Sequence, residues 1–477
     1  MLNAIRRLHT ARQSLPKTIK AILNEKVPAE TTVSINGWIR SVRSQKNVSF
    51  ANVNDGSNLK GIQAILNSDQ AKSLTTGASV KLTGQLVPSP GQEQQHELKV
   101  DQVEVLGESD STYPLQKKRH TMEYLREIGH LRSRGNTGAA VLRLRNSAVL
   151  GFQRFFEQAD CANVHTPIIT SHDCEGGGEV FKVLPASTYT TQPSSTAMAP
   201  SEFFKKPVYL TVSGQLHAEI LASSMGRVYT LGPVFRAEES QTSRHLAEFW
   251  MMEAELAFID RLDQLLDFTE ECLVSATKYV LDNSKEDLEF FNRWTDKSLL
   301  ERLNKTVTKP FARMTYTEAI EVLQQAHDAG KVKFEFPVTW GSSLQSEHER
   351  YLATQHCQHP VFVTNYPAHL KPFYMRADNV QDSSKQTVGC FDLLIPSIGE
   401  LIGGSMREER YDILHQKMID SEMDVEEYKW YLDLRRYGSV PHGGYGLGLE
   451  RYMLWITGLE SVRDVVPMPR HVGSCRY

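Results

Sequence analysis

The tightest constraint on how this chain folds is a pair of short apolar runs, Val228-Tyr229-Thr230-Leu231 and Trp250-Met251-Met252, held apart by a polar segment. Runs of that length with a charged interval between them read as two strands joined by a loop. The interval is chemically crowded. Phe235-Arg236-Ala237-Glu238 opens it, Arg244-His245 and Phe249 follow, and Glu253 and Glu255 lie just beyond. A nucleoside triphosphate asks for such a set: Arg236 offers a planar fork to one phosphate, Arg244 and His245 to a second, and Phe249 a flat face to a base. The same residues also suit a solvated hairpin whose charges face water, so the rest of the chain has to decide.

At 477 residues the chain exceeds one ordinary core, and two or three domains are expected. It is 40% hydrophobic and 23% charged with a net charge of −4, which excludes a histone-like polycation. A nucleic-acid partner would therefore be gripped by a local patch. The six cysteines, Cys161, Cys174, Cys272, Cys357, Cys390 and Cys475, form no Cys-x-x-Cys pair. That argues against a zinc knuckle or a disulfide framework and fits a reducing compartment, and His356-Cys357-Gln358-His359 lacks a matching second half for a metal. No apolar run approaches the roughly 18 residues needed to span a bilayer, so no membrane partner is expected. Residues 1–24 differ from the rest: Arg6, Arg7, Arg12, Lys17 and Lys20 precede the first acidic residue, Glu25. This reads as a mitochondrial presequence, with a basic RNA-touching arm as the alternative.

Five short strands are expected between Val33 and Gly107, with turns at Asn54-Asp55-Gly56 and Pro88-Ser89-Pro90-Gly91 and a short helix over 70–74. That pattern suits a small Greek-key barrel of the OB type. Arg40, Arg43, Lys46 and Phe50 fall on or beside its first two strands, where such barrels stack bases and grip phosphate, although barrels of this shape also bind proteins and sugars. A polar linker follows, broken by Pro114. Val141, Leu144, Ala148, Phe152 and Phe155 then recur at three- and four-residue steps and predict a long amphipathic helix. Val164 to Thr170 reads as a strand interrupted by Pro167, hence at a sheet edge. Residues 185–200 read as a mobile loop, 263–279 as a helix, 281–349 as a variable helical insert, and 361–365 and 391–395 as strands.

Gly443-Gly444-Tyr445-Gly446-Leu447-Gly448-Leu449-Glu450-Arg451 runs into a helix at Tyr452. Its glycines permit close approach, and a helix start places Arg451 where an anion is welcome. It is neither a dinucleotide fingerprint nor a Walker loop. Taken in order, Pro167 after a long helix, Phe235-Arg236-x-Glu238 with Phe249, and Gly446-x-Gly448-x-Glu450-Arg451 resemble motifs 1, 2 and 3 of class II aminoacyl-tRNA synthetases. With a barrel at the N-terminal side the order matches the aspartate, asparagine and lysine subgroup. Three longer stretches, 113–120, 399–410 and 430–442, are similar to the asparaginyl members, and with the presequence to their mitochondrial form.

The resemblance implies an α+β protein: residues 25–108 an OB-type anticodon-binding barrel, 109–134 a hinge, and 135–477 a class II catalytic domain whose mixed, mainly antiparallel sheet is flanked by helices. It implies ATP as substrate with Mg²⁺, asparagine and tRNA(Asn) as partners, a homodimer, and the mitochondrial matrix. Arg236 would bridge the α-phosphate and the attacking carboxylate; Arg451, His245 and Arg244 would hold the polyphosphate; Phe249 would stack on adenine; Glu238 would orient the nucleotide. Asp392 and Glu400 would carry Mg²⁺. Glu175, Ser213, Gln215 and Glu253 would surround the substrate's α-ammonium. A carboxamide needs a donor on one side and an acceptor on the other, which Arg407 and Glu219 would supply. Arg43, Phe50 and Gln63 would read the anticodon. An aspartate-charging enzyme and a catalytically silent tRNA-binding paralogue are the competing readings; a lysine usual in aspartyl enzymes is replaced here by Ala218, and both motif arginines are kept.

Overall fold

The computed structural model describes residues 15–25, 31–91, 94–172, 180–186, 203–240, 242–380, 382 and 385–477. The chain divides into two compact units, Met1–Arg143 and Leu144–Tyr477.

In the first unit, β1 (Thr32–Ser44), β2 (Ser49–Asn54), β3 (Ile62–Leu66), β4 (Ser79–Pro88) and β5 (His96–Gly107) close in the order β1-β2-β3-β5-β4. This is the expected five-stranded barrel. Alternation decides its two faces: Ile35, Ala51, Val53, Ala64, Leu82 and Leu98 turn inward, while Arg43 pairs with Phe50 and Asn52 with Gln63 on the outer face. The short helix sits at Ser68–Ala71, slightly before its predicted place, because Asn67 and Gln70 form a capping box that fixes its start.

Most of the presequence assigned to residues 1–24 lies outside the described residues. Its last turn does not: α1 (Ile19–Asn24), capped by Thr18, buries Ile19 and Ile22 in the barrel core. The Ile19 amide donates to Asp55 Oδ2 at 2.8 Å and the Lys20 amide to Ser57 Oγ at 3.0 Å. Two fully buried isoleucines contribute about 1.5–3 kcal/mol each, so this helix belongs to the barrel's packing.

The second unit holds an eight-stranded sheet. Its strands are β6 (Ala162–Asn163), β9 (Arg227–Phe235), β10 (Glu248–Ala257), β11 (Ala312–Thr315), β12 (Val361–Thr364), β13 (Cys390–Ile395), β14 (Gly399–Met406) and β15 (His442–Gly448), in the order β11-β12-β13-β14-β15-β10-β9-β6; β7 (Ile169–Thr170) and β8 (Tyr209–Leu210) pair separately. Only β11 with β12 and β6 with β9 run parallel, so the sheet is mixed and mainly antiparallel as expected. The hairpin read from the two apolar runs is β9–β10, longer than the runs themselves, from Arg227 opposite Leu256 to Phe235 opposite Glu248. Pro233 is tolerated because β6 covers β9 only at Val228 and Tyr229. The amphipathic helix is α2 (Asn136–Gln158); its Phe156 stacks on Tyr229 with centroids 4.2 Å apart, and Phe152 meets Tyr452 edge-on.

Two expectations change, and a third stretch gains its structure. Of the strand over 164–170 only β7 forms, and β6 ends just before it at Asn163, since Pro167 cannot continue a ladder. The insert over 281–349 is not wholly helical: β11 forms the sheet's far edge before α5 (Tyr316–Asp328). The glycine-rich stretch at 443–448 is the strand β15, paired on both sides. It is glycine-rich because the sheet is crowded there: a Cβ on Gly444 would collide with the Glu255 carboxylate and the Ala254 carbonyl.

Candidate active site

Glu219, on α3 (Gln215–Met225), is fully buried. Its carboxylate receives Arg435 Nη2 at 2.6 Å, the Tyr431 hydroxyl at 2.8 and 2.9 Å and Gln215 Nε2 at 3.1 Å, and His442 Nε2 stands 3.1 Å away. Burial alone would raise its pKa, but Arg435, His442 and Arg407 outweigh it and hold the group ionised, well below the usual carboxylate range. The acceptor that reads from sequence as open is therefore enclosed by donors. Tyr431 and Arg435, four apart on α7 (Lys429–Arg436), face the same way.

Arg407 lies beside it, its backbone amide donating to the His442 carbonyl at 2.9 Å. Its guanidinium reaches Glu255 at 2.5 and 3.3 Å and Ser405 Oγ at 2.7 Å. The pair is buried and the charges of Glu219 and Arg407 act on one another; burial pushes the Glu255 carboxyl up to about 7 against the pull of Arg407. Two residues before Glu255 on β10, Glu253 is spent on local structure, accepting from Ser213 Oγ and from the Gly214 amide at 2.8 Å, with the Gln215 amide donating to Ser213 Oγ at 3.1 Å. It thereby fixes the start of α3, on which Glu219 rides. Glu175 lies outside the described residues.

At the hairpin end, the Arg236 amide donates to the Ala247 carbonyl at 3.0 Å and its guanidinium stands 5.5 Å from the Phe249 ring centre. His245 Nδ1 is held by Thr242 Oγ1 at 2.5 Å and Ser240 Oγ at 3.0 Å, with Nε2 3.5 Å from Glu238. Arg244 meets Ser346 Oγ at 3.4 Å on α6 (Ser346–Arg350), and burial with the charges of Arg350 and Arg451 lowers its pKa. Arg451, on α8 (Leu449–Thr457), donates to the Glu400 carbonyl and carboxylate at 3.0 and 3.3 Å. The motif's Glu450 does not face this space: it binds Arg145 at 2.7 Å and the Trp250 amide at 3.0 Å, tying α8 to α2 and β10.

Asp392 and Glu400 approach each other across β13 and β14. A Cβ on Gly403 would lie 3.2 Å from Glu400 Oε1 and 3.7 Å from Asp392 Oδ1, so glycine keeps a gap open between the two carboxylates. Among the described residues no three His, Cys, Asp or Glu side chains form a cage for a metal. Two carboxylates alone suit Mg²⁺, which keeps waters and takes phosphate oxygens for the remaining positions. Two neighbours were not singled out from sequence. Lys371 Nζ binds both Asp392 oxygens at 2.9 and 3.1 Å, and Glu349 accepts the Glu400 amide at 3.2 Å, its carboxyl pushed up to about 7 by burial and by Glu400.

On the barrel, Arg43 stands 5.1 Å from the centre of the Phe50 ring. Gln63 shares their face but donates its amide to Glu97 at 3.1 Å, a buried carboxylate that Ser89 and Gln94 also reach.

A barrel followed by a mainly antiparallel sheet with arginines at the β9–β10 turn and on α8 is the architecture of a class II synthetase. Residues 121–472 match the family described as tRNA synthetases class II (D, K and N), and residues 33–106 match the OB-fold nucleic acid binding domain. An asparagine–tRNA ligase of Thermosynechococcus vestitus is 48% identical over 97% of this chain and 100% of its own length. A probable mitochondrial asparagine–tRNA ligase of Dictyostelium discoideum is 46% identical over 93% and 94%. Among solved structures, asparaginyl-tRNA synthetase from Pyrococcus horikoshii complexed with asparaginyl-adenylate superposes with a TM-score of 0.82 at 30% identity, covering 97% of this chain and 99% of that one. The chain belongs to the class II tRNA synthetases, and within them to the asparagine–tRNA ligases.

Proposed function

We propose that the protein joins asparagine to tRNA(Asn) through an asparaginyl-adenylate. The observation that carries the choice of amino acid is the buried juxtaposition of ionised Glu219 with Arg407. In the first step the carboxylate of asparagine attacks the α-phosphorus of ATP in line and pyrophosphate leaves. In the second a terminal ribose hydroxyl of the tRNA attacks the mixed anhydride and AMP leaves. No protein nucleophile is needed, so positioning and fixed charge carry the rate.

Arg236 steadies the reacting phosphate. Arg451, Arg244 and His245 hold the outer phosphates, Phe249 takes the base, and Glu238 orients the nucleotide. Asp392 and Glu400 would hold Mg²⁺, which supplies positive charge against the polyphosphate; Lys371 and Glu349 set where those carboxylates point. The side-chain amide of asparagine enters between Arg407, which donates to its oxygen, and Glu219, where it displaces the 3.1 Å Gln215 bond and shares Oε1 with Tyr431. Ser213, Gln215, Glu253 and Glu175 serve the α-ammonium side. Arg43, Phe50 and Gln63 meet the anticodon by stacking and edge contacts, with Glu97 fixing the Gln63 amide.

ATP–pyrophosphate exchange with asparagine, aspartate and lysine in parallel tests this reading. Exchange is expected with asparagine alone; equal rates with aspartate sink the specificity claim, and no exchange with any of the three sinks the enzymatic one.

Mitochondrial residence and a homodimer complete the reading. The basic, acid-poor segment ahead of Glu25 and the Dictyostelium relative support the first. The burial of Ile19 and Ile22 on α1 supports a removed leader that ends ahead of Thr18. Exposed Leu150, Ile168 and Ile169, beside Pro167, offer apolar surface to a second copy. Light scattering at twice 54.0 kDa is expected, as is a mitochondrial N-terminus at or before Thr18 by mass spectrometry. A monomer, or a chain beginning after Asn24, would count against them.

A further inference from the structure

Arg40, on the first strand of the barrel, is not among the residues assigned to the anticodon. Arg40 is the extra residue of a β-bulge: Ile39 pairs with Val53 and Ser41 with Asn52, so Arg40 has no partner across the ladder. Bulges re-aim side chains, often towards binding sites. Here Tyr113, Arg143 and Arg134 come near enough for their charges to act on Arg40, Tyr113 raising its pKa and the two guanidiniums lowering it. Its Nε is buried and has no hydrogen-bond partner among the described residues. Burial and the two like charges lower its pKa, the mark of cations held together at a cost. Arg134 lies 5.4 Å from the centre of the half-exposed Trp38 ring, and Arg143 Nη1 is braced on the Gly56 carbonyl at 2.9 Å. A guanidinium on a bulge, one over a ring and one on a backbone carbonyl supply the planar donors that suit a phosphate group.

We propose that Arg40, Arg134 and Arg143 form a phosphate-binding site for the sugar–phosphate backbone of the tRNA, separate from the anticodon face of Arg43, Phe50 and Gln63. It rests on the reading of the protein as a tRNA ligase. The backbone of RNA is the anion favoured, because Arg40 is part of a barrel matched to nucleic acid binding. Such a site contributes affinity and register but no base preference.

The test measures tRNA binding to the full chain across a series of KCl concentrations, for the unaltered protein, Arg40→Gln, Arg134→Gln and Arg40→Lys. Arg40→Gln and Arg134→Gln are expected to weaken binding about tenfold and to flatten the slope of log K against log[KCl] by about 0.7–0.9. Both effects should be equal for tRNA with the native anticodon and with a changed one. Arg40→Lys keeps the charge and so the slope, while losing part of the affinity with the fork. Thermal unfolding and tRNA-free pyrophosphate exchange should stay unchanged. An unaltered slope overturns the site, as does a loss confined to the native anticodon. Because exchange is measured without tRNA, failure of the ligase reading and failure of this site show in different columns of the same experiment.

Discussion

Arg236→Ala is expected to slow asparagine-dependent ATP–pyrophosphate exchange at least about a hundredfold, the usual penalty for removing one preorganised donor from a developing oxyanion. Arg236 follows directly on β9, its amide closes the loop on Ala247, and its guanidinium rests over Phe249. Little reorganisation remains to be done when the phosphorus becomes pentavalent, which is where a fixed donor contributes most. The loss should therefore fall mainly on kcat and much less on the KM for ATP, whose outer phosphates keep Arg244, His245 and Arg451. Lysine at 236 keeps a charge without the fork and should recover only part of the rate. A fall of less than tenfold, or one confined to KM, would remove Arg236 from the reacting centre.

How much of this site the sequence discloses depends on what each residue's role rests on. The hairpin was legible because its apolar runs sit at strand spacing, and the barrel because period-two alternation and turn residues survive in any context. Arg236, Arg244, His245 and Phe249 were legible with it, being carried on a local turn. The β15 strand was not, since its glycines carry no apolar pattern; what makes them glycine is the Glu255 side chain and backbone packed on them from β10. Nor was β11, four residues long and paired among the described strands only with β12, which follows it after α5, a loop and α6. Apart from Gln215, one turn back on α3, the partners of Glu219 lie more than two hundred residues away at Tyr431, Arg435 and His442. The only local trace is the four-residue spacing of Tyr431 and Arg435, which puts both on one helical face. Lys371 and Glu349 have no trace at all: each matters because the sheet brings Asp392 and Glu400 to it.

Those distant partners turn the second large prediction into a statement about charge. Glu219 stays ionised because Arg435, His442 and Arg407 overcome the cost of its burial, so an aspartate side chain entering beside it meets a fixed negative group. Glu219→Gln removes that charge at constant shape and presents an N–H where only an acceptor stood. The rate constant kcat/KM for asparagine is expected to fall about a hundredfold, as a charge-assisted hydrogen bond is lost. Aspartate gains at the same time, so that the preference for asparagine narrows by a larger factor than either change alone. The substitution also strands Arg435, and breaking one side of a buried pair costs about 3–5 kcal/mol of stability. Selectivity and stability must therefore be separated. Glu219→Gln with Arg435→Met removes both charges and should regain much of the lost thermal stability without regaining the preference, a coupling that a double-mutant cycle reads directly. If Glu219→Gln still rejects aspartate as strongly as the unaltered protein, the discrimination lies elsewhere and the carboxylate serves only to hold α3 against α7.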